Sequence, residues 1–135
     1  MKEEATILVV DDEEMLRKIL SKILTKEGYN VHLASTGHEA LEILRREKID
    51  LLITDVKMPE MDGFDLLKTV KIDYPQIGII VMTAFGDAYT VRDALLLGAD
   101  EYITKPFKSF EIVMVIERAA WRIQSSRTKE QASSS

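Results

Sequence analysis

The 135-residue chain has no cysteine. That excludes a disulfide framework and a thiolate-ligated metal centre. No apolar run approaches the ~20 residues that would span a bilayer, and Met1-Lys2-Glu3-Glu4 opens no long apolar segment of the signal-peptide kind. These absences lead us to expect a cytoplasmic chain with no membrane partner. Positive charge is also short. Eighteen Lys and Arg face 23 Asp and Glu, and the formal charge of −5 argues against direct nucleic-acid binding. There is no G-x-x-x-x-G-K-S/T loop, so nucleotide binding is not indicated. What remains is an ordinary globular composition, 46% hydrophobic and 30% charged, long enough for one domain with a real core.

Hydrophobic periodicity alternates between two kinds. Ala5-Thr6-Ile7-Leu8-Val9-Val10 is a β-branched apolar run that reads as a central strand. Leu16, Ile19, Leu20, Ile23 and Leu24 then recur at helical spacing, and Gly28 closes that helix as a left-handed cap. Val31–Ala34 is a second strand. Thr36 and Glu39 form a capping box before a helix buried through Ala40, Leu41 and Leu44. Ile49–Thr54 is the third strand, stopped by Asp55 and a loop marked by Pro59 and Asp62-Gly63. Leu66, Leu67 and Val70 carry a third helix that ends before Pro75. Ile77–Met82 is a fourth strand running into Thr83. Asp87 caps a helix with Ala88, Val91, Ala94 and Leu95, closed by Gly98. Glu101–Thr104 is a fifth strand, followed by Lys105-Pro106, and Ser109 caps a last helix through Phe110, Val113, Ile116, Ala120 and Ile123. Five alternating strand–helix pairs with short links predict an α/β fold, a doubly wound parallel sheet with helices on both faces. The domain is expected to occupy residues 1–124. Residues 125–135, rich in Ser and charge, are expected to form a flexible tail or the start of a linker.

The strands end in chemistry. Strand one delivers Asp11 and Asp12, strand three Asp55, strand four Thr83 and strand five Lys105. In a parallel sheet these ends face the same way, and at ~4.8 Å between strands their side chains converge. Three crowded carboxylates repel, and without compensation one binds a proton. A divalent cation relieves this, and oxygen-only ligands favour a hard ion such as Mg²⁺, with Mn²⁺ as an alternative. A lysine ammonium and a threonine hydroxyl suit phosphate oxygens. The set fits phosphoryl transfer, with a carboxylate of the protein itself as acceptor.

At these positions the sequence resembles the receiver domain of two-component response regulators. The resemblance rests on Val9-Val10-Asp11-Asp12-Glu13, Asp55-Val56-Lys57-Met58-Pro59-Glu60-Met61-Asp62-Gly63, Met82-Thr83-Ala84 and Lys105-Pro106-Phe107, and covers residues 5 to about 124. It implies a flavodoxin-like (βα)5 sheet in the order 2-1-3-4-5. It implies Asp55 as phosphoacceptor, with Asp11, Asp12, Asp55 and the Lys57 backbone carbonyl around Mg²⁺. Thr83 would be the switch hydroxyl and Tyr102 the switch aromatic. Lys105 would bind the phosphoryl group, and the Lys105–Pro106 peptide would be cis. The implied partners are a sensor histidine kinase or phosphotransfer protein, and an output domain or protein on the face of helix four, strand five and helix five, where a second copy is the alternative. The chain would be a phosphoacceptor in a phosphorelay rather than an enzyme with turnover. Met82–Asp87 and Gly98–Phe107 look most like receivers of nitrogen-regulator-type activators.

Each feature alone has a plainer reading. Asp55 equally suits a loop cap, Asp11-Asp12 a helix cap pair, and Tyr102 a half-buried strand aromatic. His32 and His38 lie at no strand's carboxyl end and read as surface residues. Trp121 reads as packing or part of a partner face, and Arg118, Arg122 and Arg127 as a solvated face. Two rivals stand beside the receiver reading. One is a Mg²⁺-dependent phosphatase of the haloacid-dehalogenase type, but no Asp-x-Asp follows strand one. The other is an unphosphorylated interaction module.

Overall fold

A computed structural model describes residues 5–58, 60–84 and 88–134, with backbone alone for 88, 89, 124 and 126–134. Ten elements alternate: β1 (Thr6–Val10), α1 (Glu14–Lys26), β2 (Asn30–Ala34), α2 (Gly37–Arg46), β3 (Leu51–Asp55), α3 (Gly63–Asp73), β4 (Gly78–Ala84), α4 (Ala88–Leu96), β5 (Glu101–Lys105) and α5 (Ser109–Ser134). The strands form one sheet in the order β2-β1-β3-β4-β5, and every neighbouring pair is parallel. This is the expected doubly wound α/β architecture.

The two-residue period of the strands sorts their side chains into two cores. Leu8, Val10, Leu52, Ile79 and Val81 pack with Ala40, Ile43 and Leu44 of α2, Leu66, Leu67 and Val70 of α3, and Ala94 of α4. Ile7, Val9, Leu51, Ile53, Ile80, Met82 and Ile103 pack with Leu20 and Leu24 of α1 and Ile112, Val115, Ile116, Ala119 and Ala120 of α5. A sheet covered on both faces needs near-continuous apolar strands, and β3, buried at all five positions, is the plainest case.

Punctuation sets the helix ends. Gly28 and Gly98 hold φ of 95° and 102°, the left-handed caps of α1 and α4. Thr36 caps α2 by accepting the Glu39 N–H at 3.1 Å. The reciprocal half of that capping box differs from expectation, because Glu39 Oε1 accepts from Ser35 N, one residue earlier. Asp62 caps α3 through the Asp65 N–H at 2.9 Å. At α5 the cap position falls to Lys108 rather than Ser109. Its carbonyl accepts from Ile112 N, and Glu111 Oε1 takes its N–H.

Some apolar residues read as core lie outward. Ile19, Leu95 and Phe110 are exposed, and the buried stripe of α5 runs instead through Ile112, Val115, Ile116, Ala119 and Ala120. The backbone of α5 also runs on through residues 125–134, the segment expected as a tail. Its Arg, Lys, Glu, Gln and Ala are strong helix formers, so local propensity continues the turn. The Asp87 cap and the Pro59 turn lie outside the described residues.

Candidate functional site

The carboxyl edge of the sheet gathers the acidic, hydroxyl and amine groups that the strand ends supply. Asp11 follows β1 and is fully buried, Asp55 ends β3 and is buried, and Asp12 is exposed beside them. One carboxylate oxygen from each lies within 4.8 Å of the others. From β5, the Lys105 ammonium donates to Asp55 Oδ2 at 2.7 Å and to Asp11 Oδ2 at 3.0 Å. The Lys105–Pro106 peptide that follows is cis.

Each carboxylate is also held by backbone. Asp11 Oδ1 accepts the Glu13 N–H at 2.8 Å in a turn just ahead of α1. The cap position itself falls to Glu13 and has no side-chain cap, so the plainer helix-cap reading of Asp11-Asp12 does not hold. The Asp11 carbonyl accepts from the Arg17 guanidinium at 2.7 Å, which ties the loop to the second turn of α1. Asp55 Oδ1 accepts the Lys57 N–H at 3.1 Å, which leaves Oδ2 to the ammonium. Below Asp55 the chain is locked by close packing. The Gly63 N–H donates to Val56 O at 3.0 Å, and a Cβ at position 63 would stand 2.1 Å from Asp55 O.

The electrostatics follow from this crowding. Burial pushes the Asp11 carboxyl above the usual carboxylate range. The Glu13 N–H and Lys105 oppose that shift, and the Asp55 charge adds to it. Burial also works against charge on Lys105. Its hydrogen bonds and ion pairs with Asp55 and Asp11 outweigh burial and hold the ammonium above its ordinary value. Thr83 supplies the remaining group. It is buried in β4, and its hydroxyl is the one buried side-chain polar atom among the described residues that has no hydrogen-bond partner. A buried hydroxyl without a partner costs about 1–3 kcal/mol, so such a group is commonly explained by function. Tyr102 stands on neighbouring β5, paired with Val81 and 42% exposed.

The donor set is all oxygen and carries three carboxylates, which fits a hard divalent cation and leaves no role for a soft one. The family model of the response regulator receiver domain matches residues 7–117. The chain belongs to that family. The sporulation initiation phosphotransferase F of Bacillus subtilis is 40% identical to this receiver over 106 residues, 78% of this chain and 86% of the relative. The DNA-binding transcriptional regulator NtrC of Proteus hauseri is 37% identical over 87% of this chain, in line with the nitrogen-regulator likeness, but only 25% of that protein is covered. Another curated relative is spanned over 51% of its length. The solved response regulator receiver domain protein of Clostridium thermocellum superposes with a TM-score of 0.83 at 34% identity, over 89% of this chain and 97% of that one.

Several contacts around this receiver's site carry no signal in the local sequence pattern. Arg118 and Arg122, read as a solvated face, both pair with the buried Glu101 carboxylate. Arg118 Nη2 lies 2.7 Å from Glu101 Oε1, and Arg122 also donates to Asp100 O at 2.9 Å. Asp50 and Asp100 cap strands at the opposite edge, accepting from Thr6 N at 2.8 Å and Ile79 N at 2.7 Å. An acid just before a strand was the one available signal. His38 is exposed and His32 half-buried, and neither joins the cluster. Trp121 is exposed.

Proposed function

We propose that this receiver domain of two-component signalling takes a phosphoryl group from the phosphohistidine of a sensor histidine kinase or phosphotransfer protein onto Asp55. The observation that carries the reading is the Asp55 carboxylate at the end of β3, salt-bridged to Lys105 and within 4.8 Å of Asp11 and Asp12. In the transfer, Asp55 Oδ attacks phosphorus as the P–N bond to the imidazole breaks, and the histidine keeps the electron pair. Asp11, Asp12, Asp55 and the Lys57 carbonyl would hold Mg²⁺, or Mn²⁺ in its place. When bound, such an ion would supply positive charge to the transferring phosphoryl oxygens. Lys105 moves from the carboxylates to one phosphoryl oxygen, and the Thr83 hydroxyl donates to another, ending its lack of a partner. Asp11 then loses its ammonium partner, which is a second reason for a cation beside it.

The switch rests on the same contacts. A phosphoryl group adds roughly two negative charges and three acceptor oxygens that Thr83 and Lys105 did not have before. Movement of Thr83 toward them opens room for Tyr102 to turn inward. An output domain or protein then reads the face of α4, β5 and α5, where Leu95, Leu96 and Tyr102 are exposed. A shift from about 1:99 to 99:1 requires ~5.5 kcal/mol of differential contact. We take the domain to end near residue 124, with 125–135 leading away from it, and we place the chain in the cytoplasm with its kinase. Among the described residues no helix is long and apolar enough to cross a membrane.

The test is labelling with a small phosphodonor, with and without Mg²⁺, on wild type and Asp55→Asn. Label that requires both Asp55 and the ion supports the reading. Steady release of phosphate from a phosphomonoester over many turnovers would favour a phosphatase instead.

A further inference from the structure

Asp12 differs from the other two carboxylates of the cluster. It is exposed, whereas Asp11 and Asp55 are buried. The Asp11 side chain is held by the Glu13 N–H and Lys105, and that of Asp55 by the Lys57 N–H and Lys105. Among the described residues no hydrogen bond or ion pair holds the Asp12 side chain. Its place beside Asp11 and Asp55 is therefore set by its backbone.

That backbone is clamped on both sides. The peptide after Asp12 ends in the Glu13 N–H, which donates to Asp11 Oδ1 at 2.8 Å. The peptide before Asp12 begins with the Asp11 carbonyl, which accepts from Arg17 Nη1 at 2.7 Å. A peptide unit is planar, so fixing the Asp11 oxygen also fixes the nitrogen and Cα of Asp12. The Asp11 N–H donates to Ala34 O at 3.1 Å, but that bond anchors the end of β1 and not the peptide beyond it. Nor does α1 restrain its own entry, because its cap residue Glu13 makes no side-chain cap bond. Arg17 supplies what the cap does not. Its N–H donates to Glu13 O at 3.1 Å within the first turn, and its half-buried side chain reaches back to the loop. A guanidinium is permanently charged, and charge-assisted bonds of this length are stronger than neutral ones. Lys18, the next residue, points elsewhere and pairs with Glu14 at 3.0 Å on the exposed side of the helix.

We propose that Arg17 is a positioning residue for Asp12. It holds the Asp11–Asp12 peptide so that the one exposed carboxylate of the cluster is set to bind the divalent cation of the function proposed above, on which this role rests. The sign of the effect separates positioning from charge. The guanidinium is itself a positive charge near a cation site, so if charge alone mattered, its removal would tighten metal binding. Positioning demands the reverse. Loss of a group that orients a metal ligand weakens metal affinity by about 10–100-fold, because the freed carboxylate must be ordered again each time an ion binds.

Titration of the unphosphorylated full chain with Mn²⁺ alone, followed by loss of the free-ion EPR signal, tests this. Wild type should bind one ion, and Asp12→Asn should bind it more weakly. Arg17→Met should weaken Mn²⁺ binding by about tenfold or more, whereas Lys18→Met, which removes the adjacent charge, should leave it unchanged. In phosphodonor labelling, Arg17→Met should need about tenfold more Mg²⁺ to reach half its maximal rate, with the maximal rate kept. A general loss of structure would not give that split, and melts in chelator report the fold separately. Should Arg17→Met fail to fold, Arg17→Gln, equally uncharged but polar, decides in its place. Mn²⁺ binding that is unchanged or tighter in the variant overturns the role of Arg17 and leaves the metal reading standing. So does a labelling defect that saturating Mg²⁺ does not relieve. Wild type that binds no Mn²⁺ overturns the metal reading itself, and the role with it.

Discussion

Gly63→Ala is a one-methyl change with two separable consequences. The glycine starts α3 against the end of β3, and its backbone is not in the left-handed region, so the constraint is steric. An added Cβ would stand 2.1 Å from Asp55 O, 2.6 Å from Val56 Cα and 2.9 Å from Asp55 C. Ordinary carbon contacts need ~3.5 Å, so α3 and the Asp55–Val56 backbone must part by about 1 Å. All three obstructing atoms are backbone and cannot rotate away. Overpacking of this kind costs about 1–3 kcal/mol, and the upper part of that range applies here. The same displacement moves the Asp55 carboxylate relative to Lys105, which now lies 2.7 Å away. A misplacement of about 1 Å lowers a positioned reaction up to ~100-fold. Urea denaturation should show the loss of stability, and phosphodonor labelling at saturating Mg²⁺ should show the loss of rate. Stability within about 0.5 kcal/mol of wild type, together with an unchanged labelling rate, would refute the argument.

Other perturbations follow from the same geometry. Thr83→Val removes a buried hydroxyl that has no partner, so it should leave the unphosphorylated protein as stable or up to about 1 kcal/mol more stable while abolishing phosphate-dependent partner binding. A large destabilisation by thermal melt would contradict this. The raised Asp11 carboxyl makes the folded state bind more protons than the unfolded one. Metal-free stability should therefore fall as pH rises from about the ordinary 3.8 through the higher folded value, and Asp11→Asn should remove that fall in urea midpoints. Lys105 has the same sense at the alkaline end. Its stabilising pair is complete below its ordinary value of 10.5 and is lost as pH rises through the higher folded value, so Lys105→Met should flatten the alkaline limb of the same profile. Arg118→Ala with Arg122→Ala strands the buried Glu101 carboxylate and should cost about 2 kcal/mol. That lies below the range for buried pairs because both arginines are half-exposed. Adding Glu101→Leu should recover most of the loss in urea melts.

Local pattern made much of the molecule legible. Apolar runs stopped by Asp11, Asp55, Thr83 and Lys105 identified both the strands and the edge where the polar groups meet, because a parallel sheet orients all its strand ends alike. Gly28, Gly98 and Thr36 were readable because each acts on its own helix. What escaped depends on tertiary placement. Nothing local to Glu101 signals its burial, which comes from α5 bringing Arg118 and Arg122 over it. Asp50 and Asp100 cap residues 44 and 21 positions away, which no local rule encodes. Phe110 and Ile19 match helical spacing as well as any core residue. The sheet beneath decides which stripe is buried, and for α5 the stripe through Ile112 and Ile116 won. The constraint on Gly63 looked like turn chemistry and proved to be a close approach of two backbones. Residues 125–134 were judged on how little they bury, whereas their helix propensity set the backbone.

The account depends most on Asp55 accepting phosphorus beside a divalent ion. The direct measurement is reductive trapping of the acyl phosphate, followed by peptide mass mapping, after exposure to a phosphodonor with Mg²⁺ or with chelator. The account predicts one modified residue, Asp55, in the Mg²⁺ sample alone. Modification of another residue, or equal modification of Asp55 in chelator, would contradict it.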